Sequence, residues 1–441
     1  MTEPTPASDR PASKLRQGIT GPLLYLFIVG DVLGAGIYAL MGELSAEVGG
    51  ALWAPLILAL VLALFTAGSY AELVTKYPKA GGAAIFAERA FKVPAVSFLV
   101  GYCMLAAGVV SAAGLALAFA GEYLQTFLPV PPIAAAMVFL LIVGLLNARG
   151  IRESVGTNVV MTIIEVTGLV LVVVVVAVLV GGGGGDLARL GEFRGDVSPG
   201  IAVLGAAIIA FYSFVGFETS ANVAEEVRDP SRVYPRALFG ALITAGVVYL
   251  LVGMASSIAL PAEELAGSSG LLLEVVRASG VAVPDWAFSL IALIAVANGA
   301  LLTMIMSSRV TFGMAEQGLL PAVLGRVLPK RRTPWVAIAA TTAVAMLLTL
   351  VGDLATLAPT VVLLLLLVFI AVNVAVLVLR RESVEHEHFR VWTAVPILGV
   401  ASCILLFTQQ EPMVWLFAAA ALAVGGVLYL AAWFAGRRSM R

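Results

Sequence analysis

The sequence predicts an all-α membrane protein that crosses the bilayer with twelve transmembrane helices. Of its 441 residues, 61% are hydrophobic and only 12% are charged, and the mean hydropathy is +1.04. Soluble proteins average about 45–50% apolar and about 25% charged residues, so this composition is that of a membrane protein. Apolar runs long enough to span a bilayer follow one another along the chain. Their approximate limits are 20–43, 50–74, 93–127, 132–148, 154–181, 199–226, 236–260, 284–314, 334–351, 358–380, 391–408 and 412–435.

The distribution of Lys and Arg supports this number of spans. If the N-terminus lies in the cytoplasm and the spans alternate, 23 of the 26 Lys and Arg residues fall on the inside. Only Arg189, Arg194 and Arg277 fall on the outside. Cytoplasmic loops of membrane proteins carry an excess of Lys and Arg, and one span more or fewer would destroy this separation. We therefore expect a multi-pass protein of the cell membrane with both termini in the cytoplasm.

The first span carries residues that weaken a membrane helix. Gly34 and Gly36 lie in its middle part, Phe27–Leu40, together with Asp31. Because glycine weakens a helix and lipid rejects a carboxylate, we predict an unwound turn that is buried in protein or lines a cavity. The N–H groups of this turn, including that of Ala35, would then point at a bound anion. The alternative is that the small residues only allow close helix packing, and Asp31 beside them favours the break.

The sixth span repeats this design, because Gly216 and Glu218 lie in the middle of its apolar run. Interrupted helices at positions one and six indicate an inverted repeat of five plus five spans, with the substrate site where the two broken helices meet. No letter-for-letter repeat is visible, so position and hydropathy alone support this prediction. Glu218 would either bridge two helices or face the cavity.

The predicted repeats, their connecting loop and the flanking parts of the chain give six segments. They are a disordered cytoplasmic tail (1–19), a first inverted repeat with helices 1–5 (20–181), an extracytoplasmic loop (182–198), a second inverted repeat with helices 6–10 (199–380), the appended helices 11 and 12 (381–435) and a cytoplasmic tail (436–441). The first tail is polar and rich in Pro, Ser and Thr, a composition that does not bury a core. The glycine run 181–185 would make the loop after the fifth span a flexible hinge.

Glu165 is a third acid placed deep in a span, and the fifth span that contains it has no basic residue. An ionised carboxylate cannot face lipid, so Glu165 is either protonated, paired with a cation or hydrogen-bonded to a neighbouring helix. Asp31 would either bond the opened backbone, as a helix cap, or take part in coupling. If Asp31 and Glu165 meet, they would share a proton or hold a cation.

The sequence contains no constellation of catalytic residues. It lacks the P-loop motif of ATP-driven motors, the G-x-S-x-G nucleophile elbow and the H-E-x-x-H zinc motif. His386 and His388 share one loop, but their spacing is a weak signal for a metal, and Cys103 and Cys403 lie in apolar runs. We therefore expect no enzyme activity, cofactor, bound metal or nucleic acid partner.

Four stretches, in this order along the chain, resemble the amino acid–polyamine–organocation family of secondary transporters. They are Gly34–Tyr38 in span one; Tyr70–Leu73 with Tyr77–Gly82 after span two; Phe214–Glu218 with Glu225–Arg232 and Pro235 around span six; and Ser308–Pro321 after span eight. The resemblance covers nearly the whole chain beyond the first twenty residues. It implies the inverted-repeat fold of the leucine transporter and the uptake or exchange of amino acids or amines by alternating access.

The resemblance also implies site residues. The backbone of Gly34, Ala35 and Gly36 would hold the substrate carboxylate. The substrate amine would bind main-chain carbonyls, here those of Val32, Tyr212 and Val215. Tyr212 matches the aromatic residue that commonly gates the site in the family, although an aromatic residue at such a position, judged alone, is more often plain packing.

Two positions depart together from the family pattern, which suggests one altered coupling site. Many proton-linked members carry a Lys where this chain has Glu165, and the position of Asp31 is usually small or neutral. We expect a permease for an amino acid or related amine, with protons coupled through Glu165 and Asp31 and with Glu218 as a further candidate. The alternatives are a sodium-coupled or polyamine-type cation transporter or exchanger, and a transporter-like sensor or channel without coupled transport.

Overall fold

The structure is a computed structural model, and it describes residues 19–78, 82–149, 155–266, 268–328 and 333–439. The predicted N-terminal tail (1–19) lies outside these ranges except for Ile19, as do the last two residues of the predicted C-terminal tail (436–441). The side chain of Ala35 is also outside the description, whereas its backbone is included.

Helices make up the regular structure, and no β-strand forms within the described ranges. Short 3₁₀ helices cover Leu187–Gly191, Phe217–Glu226 and Ala322–Gly325. The α-helices of the described chain are α1 (Gly21–Val32), α2 (Ala35–Val48), α3 (Trp53–Lys76), α4 (Gly82–Phe91), α5 (Pro94–Phe119), α6 (Glu122–Gln125), α7 (Pro132–Arg149), α8 (Val155–Gly181), α9 (Pro199–Phe214), α10 (Pro230–Ala259), α11 (Ala262–Leu265), α12 (Leu271–Ala278), α13 (Asp285–Glu316), α14 (Trp335–Val351), α15 (Leu354–Leu379), α16 (Ala394–Phe407) and α17 (Pro412–Ser439).

The long helices follow the predicted apolar runs. Nine helices within the described ranges are long and apolar enough to cross a bilayer, and α1 with α2 would form a tenth span that bends by 42° at its break. Two further apolar helices, α14 and α16, are shorter. The chain is thus a multi-pass membrane protein, while the number of twelve spans stays a prediction.

Two boundaries differ from the predicted ones. The long run 93–127 folds into α5 and the short α6, separated at Gly121. The chain packs so closely there that a methyl group on Gly121 would lie 2.7 Å from the hydroxyl oxygen of Ser269. The α10 helix begins at Pro230, six residues before the predicted start of the seventh span at residue 236, so Pro235 lies in its first turns. Proline is favoured at the first position of a helix because it has no N–H group to leave unpaired.

The third predicted span lies at the centre of the bundle, and the last helix lies at its edge. Within the most apolar window of Pro94–Gln125, 89% of the residues are buried, against 17% for the window in α17. The α5 helix packs against α13, α15, α4, α14 and α7. Because α5 touches so many helices, its small residues decide how much space remains inside the bundle.

The loop before α9 covers the turn between α2 and α3. The indole N–H of Trp53 donates to the carbonyl of Leu190 at 2.9 Å. The backbone N–H of Gly50 donates to Glu192 at 2.8 Å, and that of Arg194 donates to Val48 at 3.1 Å. These bonds attach the loop to the end of the bundle where α2 finishes. The sequence had predicted that this loop acts as a flexible hinge.

A buried ion pair joins α3 and α15 at the opposite end, which carries most of the Lys and Arg residues. The Arg380 guanidinium donates to both carboxylate oxygens of Glu72, at 2.6 and 2.7 Å. The side chain of Glu72 is 1% exposed and that of Arg380 is 10% exposed. Nearby, hydrogen bonds from Arg89 and Tyr77 hold the pKa of the Glu382 carboxyl below its usual value. The loop after α15 is therefore fixed to the end of α3.

We expect Glu72→Gln to lower the free energy of unfolding by about 3–5 kcal/mol, because the buried Arg380 guanidinium would lose its counter-charge. Glu382→Gln is the matched control, because it breaks a half-exposed pair with Arg89 whose loss should cost less than about 1 kcal/mol. Thermal unfolding of both variants in lipid nanodiscs measures the difference. Equal losses of stability in the two variants would contradict a larger contribution of the buried pair to the free energy of unfolding.

Candidate functional site

The first predicted break separates α1 from α2. The helix α1 ends at Val32, and the N–H of Leu33 makes its last bond, to the carbonyl of Val29 at 2.7 Å. Gly34, with φ −62° and ψ −143°, turns the chain before α2 begins at Ala35. The first N–H groups of a helix have no partner within it, so the start of α2 presents free donors at this turn.

The second predicted break follows α9. That helix ends at Phe214, and Val215 is extended, with φ −63° and ψ 142°. Gly216 then has φ +126°, a conformation that residues with a side chain rarely adopt. A 3₁₀ helix over Phe217–Glu226 continues the span. Both interruptions therefore occur at the glycines on which the sequence prediction was based.

The two breaks touch each other through glycines. A methyl group on Gly216 would lie 2.8 Å from the carbonyl oxygen of Asp31, and one on Gly36 would lie 3.0 Å from the Cα of Ser213. The two opened segments therefore run antiparallel to each other, since the later residue of one break contacts the earlier residue of the other. A side chain at Gly216 or at Gly36 would force the two backbones apart.

The acids next to the breaks bond the opened segment of span six. The carboxylate of Glu218 accepts a hydrogen bond from the N–H of Gly216 at 2.9 Å. The hydroxyl of Thr219 lies within hydrogen-bond distance of two acceptors, the carboxylate of Asp31 and the carbonyl of Gly216, the latter at 2.8 Å, and these two share its one proton. Asp31 thus connects the first break to the second, and Glu218 closes back onto its own break.

Tyr249 on α10 joins the two breaks from behind. Its hydroxyl lies against the carbonyl of Val32 and against that of Ser213, the latter at 2.9 Å. The residue is fully buried. Sequence reasoning did not identify Tyr249, although a lone tyrosine in an apolar span is a usable signal, because a buried phenol hydroxyl generally has a hydrogen-bond partner.

Glu165 is buried on α8, where it faces residues of α13 and α2. One carboxylate oxygen, Oε1, accepts a hydrogen bond from the side-chain amide of Asn298 at 2.9 Å. The other oxygen, Oε2, is buried and has no hydrogen-bond partner among the described residues. The hydroxyl of Tyr38 donates to the backbone carbonyl of Glu165 at 2.7 Å. Asp31 and Glu165 therefore bond different side chains, Thr219 and Asn298.

A cavity of about 620 Å³ lies along the crossing of the breaks. Of the predicted site residues, it is lined by Asp31, Val32, Gly36, Tyr212, Val215 and Glu218. Gly34 and Glu165 are described but do not line it. The cavity extends to Glu88, Glu226 and Arg309, at the end of the bundle rich in Lys and Arg.

The wall opposite the breaks comes from α5 and α13, and its residues were not predicted. It includes Met104 and Ser111 on α5 and Thr303 and Met306 on α13. The hydroxyls of Ser111 and Tyr212 are 2.8 Å apart and join α5 to α9 beside the second break. These helices are apolar on all faces, so the sequence pattern does not indicate which face meets the cavity.

The carbonyls predicted to hold an amine are partly engaged within the protein. The Val32 carbonyl contacts Tyr249, and the Tyr212 carbonyl accepts the N–H of Val215 at 3.0 Å. A carbonyl oxygen has two lone pairs, so each can accept a second bond. The side chains that line the cavity include four acids and one base, Arg309, and this balance favours a ligand with an amine over an anion.

Comparison with known proteins agrees with this architecture. The sequence profile of the family described as "Amino acid permease" matches residues 22–435. The chain is 27% identical to the branched-chain amino acid permease BcaP of Bacillus subtilis, over 87% of this chain and 85% of the relative. It is 30% identical to the vacuolar cationic amino acid transporter 4 of Arabidopsis thaliana, over 80% and 61%, and 26% identical to the methylthioribose transporter of Bacillus subtilis, over 92% and 91%.

The matched profile covers almost the whole chain, including both breaks and the residues around the cavity. The family and these relatives are transporters and not enzymes, which confirms the predictions of the resemblance and of the absence of enzyme activity. The chain belongs to the amino acid permease family of the amino acid–polyamine–organocation superfamily.

Proposed function

We propose that this permease is a secondary active transporter that moves an amino acid or related amine across the cell membrane by alternating access, coupled to protons. The observation that carries the proposal is the crossing of two broken helices on one cavity. Unwound backbone at membrane depth is tolerated only where it is buried or lines a cavity, and here it offers free donors and acceptors to a small zwitterion.

The substrate would bind with its two charged groups at the first break. Its carboxylate would lie at the start of α2, where the N–H groups of Gly34, Ala35 and Gly36 and the helix dipole favour an anion. Its amine would face the carbonyl of Val32, with those of Tyr212 and Val215 beside it. The carboxylate of Asp31, which lines the same cavity, adds a negative charge near that amine.

Alternating access would follow from a leucine-transporter-like inverted repeat. The antiparallel contact between the breaks supports this, because two halves related by an axis in the membrane plane run in opposite directions. The cavity extends to the end rich in Lys and Arg, which we assign to the cytoplasm. The loop over α2 and the Ser111–Tyr212 contact lie on the other side and would open in the outward-facing state.

Proton coupling would use Glu165. A buried carboxylate with one unpaired oxygen is unfavourable as an anion, and a proton on Oε2 removes that cost. The Asn298 amide can keep its bond to Oε1 in both states. The carboxylates of Asp31 and Glu218 bond the break itself, so their protonation would loosen it.

Transport into proteoliposomes tests the function. We expect a labelled amino acid to accumulate above its external concentration when a proton gradient is directed inwards, with no added sodium. Accumulation that needs a sodium gradient would replace the proton by sodium as the coupling ion. An ohmic current without accumulation, or binding without counterflow, would contradict secondary active transport.

We expect Glu165→Gln to reduce accumulation driven by the proton gradient at least about tenfold, because an amide cannot release a proton in this step. Exchange of labelled for unlabelled substrate should continue, because the substrate cavity is not lined by this residue. Glu263→Gln, which changes an exposed acid on α11, is the matched control. Undiminished gradient-driven accumulation in Glu165→Gln would remove Glu165 from the mechanism.

We expect Gly216→Ala to abolish transport and to destabilise the protein, because φ +126° alone costs about 1–3 kcal/mol for a residue with a side chain. The new methyl group would also press on the Asp31 carbonyl, 2.8 Å away. Gly313→Ala is the control, since Gly313 lines the same cavity and has open space beside it. Uptake by Gly313→Ala and its thermal unfolding should be nearly unchanged. Normal uptake by Gly216→Ala would mean that the breaks need not touch.

A further inference from the structure

The cavity wall opposite the breaks points to the kind of substrate. We infer that the transported amino acid has an uncharged, apolar side chain, which lies against a wall formed by α5, α13 and α15. This inference rests on the proposed function, because it assumes that the α-amine and α-carboxylate occupy the break. It goes further by assigning the pocket that receives the remaining part of the molecule.

Ile305, Val310 and Met314 on α13 line the cavity as well, but we define the apolar wall by six side chains, two from each helix. They are Met104 and Leu115 on α5, Leu302 and Met306 on α13, and Val361 and Leu365 on α15. All six line the same cavity as Val32 and Tyr212. A substrate held by its charged groups at the break would therefore have to place its side chain among methyl, methylene and thioether groups.

Two hydroxyl groups beside this wall, those of Ser111 and Thr303, are engaged within the protein, whereas the buried hydroxyl of Ser97, which also lines the cavity from α5, has no hydrogen-bond partner among the described residues. Ser111 is bonded to the hydroxyl of Tyr212 at 2.8 Å. Thr303 donates to the backbone carbonyls of Gly299 and Ala300, each at 3.0 Å. Thr303 has thus used its one proton, and the Ser111–Tyr212 pair has used one of its two, so few donors remain for a polar substrate side chain. Such a side chain would give up more hydrogen bonds to water than these groups replace, which is unfavourable.

The ionisable residues that line the cavity lie elsewhere. Asp31 and Glu218 flank the breaks, and both carboxylates accept hydrogen bonds there. Glu88, Glu226 and Arg309 lie towards the end rich in Lys and Arg. None of the six wall residues is ionisable, and the ionisable lining residue of α13, Arg309, follows Met306 by three positions. A lysine, arginine or glutamate side chain that lay among these six residues would be buried without a counter-charge, and burial of an unpaired charge is strongly disfavoured.

The wall should accept apolar side chains of several shapes. Two of its six residues, Met104 and Met306, are unbranched and flexible, and methionine adapts to irregular neighbours. We expect leucine, isoleucine, methionine and phenylalanine to compete for the site within about tenfold of one another, because methionine-rich surfaces can rearrange around different ligands. Alanine should bind at least about tenfold more weakly than leucine, because it fills less of the wall.

Competition against labelled L-leucine by the purified protein in nanodiscs tests this inference. L-norleucine and L-lysine form the decisive pair, because lysine is norleucine with an ammonium group on its last carbon. We expect norleucine to compete at least about 100-fold better than lysine, because lysine would have to bury its side-chain ammonium group on the apolar wall without a counter-charge. Lysine, arginine or glutamate competing as well as norleucine would overturn the inference and leave amino acid transport intact.

Binding by none of these amino acids, in wild-type protein that unfolds cooperatively on heating, would instead overturn the proposed function. Substitutions in the wall provide a second readout. Met306→Ala and Leu302→Ala should weaken leucine about tenfold or more and leave alanine nearly unchanged, because only the larger side chain reaches them. Met413→Ala, which changes an exposed methionine on α17, is the matched control. Equal losses for leucine and alanine in the wall variants would contradict the assigned pocket.

Discussion

The structure depends on satisfying backbone groups that two interrupted helices leave open inside a membrane. In the hydrocarbon region no water is available, so each free N–H or carbonyl needs a partner from the protein or a ligand. The partners come from several directions, since Glu218 bonds the N–H of Gly216, Thr219 connects that break to Asp31, and Tyr249 contacts carbonyls of both spans. The start of α2, where a helix leaves its first N–H groups without a partner of its own, borders the cavity at Gly36. In the proposed mode of binding, the charged ends of the substrate would complete this set of bonds.

The acids in the spans divide into two kinds once their partners are known. Asp31 and Glu218 hold the opened chain together, which gives them a structural role whatever else they do. Glu165 is different, because one oxygen is bonded to Asn298 and the other has no hydrogen-bond partner in the described part of the chain. The sequence alone placed all three in one category, as carboxylates too expensive to bury without a purpose. Their surroundings separate Glu165, which keeps one carboxylate oxygen without a partner among the described residues, from the two acids that bond the breaks.

The breaks were predictable, whereas the surroundings of the cavity were not. Gly34, Gly36 and Gly216 beside acids contradict a lipid-facing helix, and this conflict is visible in the sequence. The wall residues Met104 and Met306 give no such signal, because in a membrane helix the lipid-facing side is as apolar as the protein-facing side and the pattern does not reveal its orientation. Asn298 and Tyr249 stand out as polar residues in apolar runs, but the sequence does not show which partner such a residue bonds. Contacts between distant helices depend on packing angles and on small residues such as Gly121, and these come only from the folded chain.

The position of the Tyr249 hydroxyl has a consequence for communication within the site. It has one hydrogen, and it lies between two acceptors, the carbonyls of Val32 and Ser213. A single proton cannot bond both at full strength, so the two carbonyls compete for it. An ammonium group that donates to the Val32 oxygen would withdraw that oxygen from the competition and strengthen the bond to Ser213. Occupancy at one interrupted span would thereby be transmitted to the other through the reorientation of one O–H bond, before any helix moves.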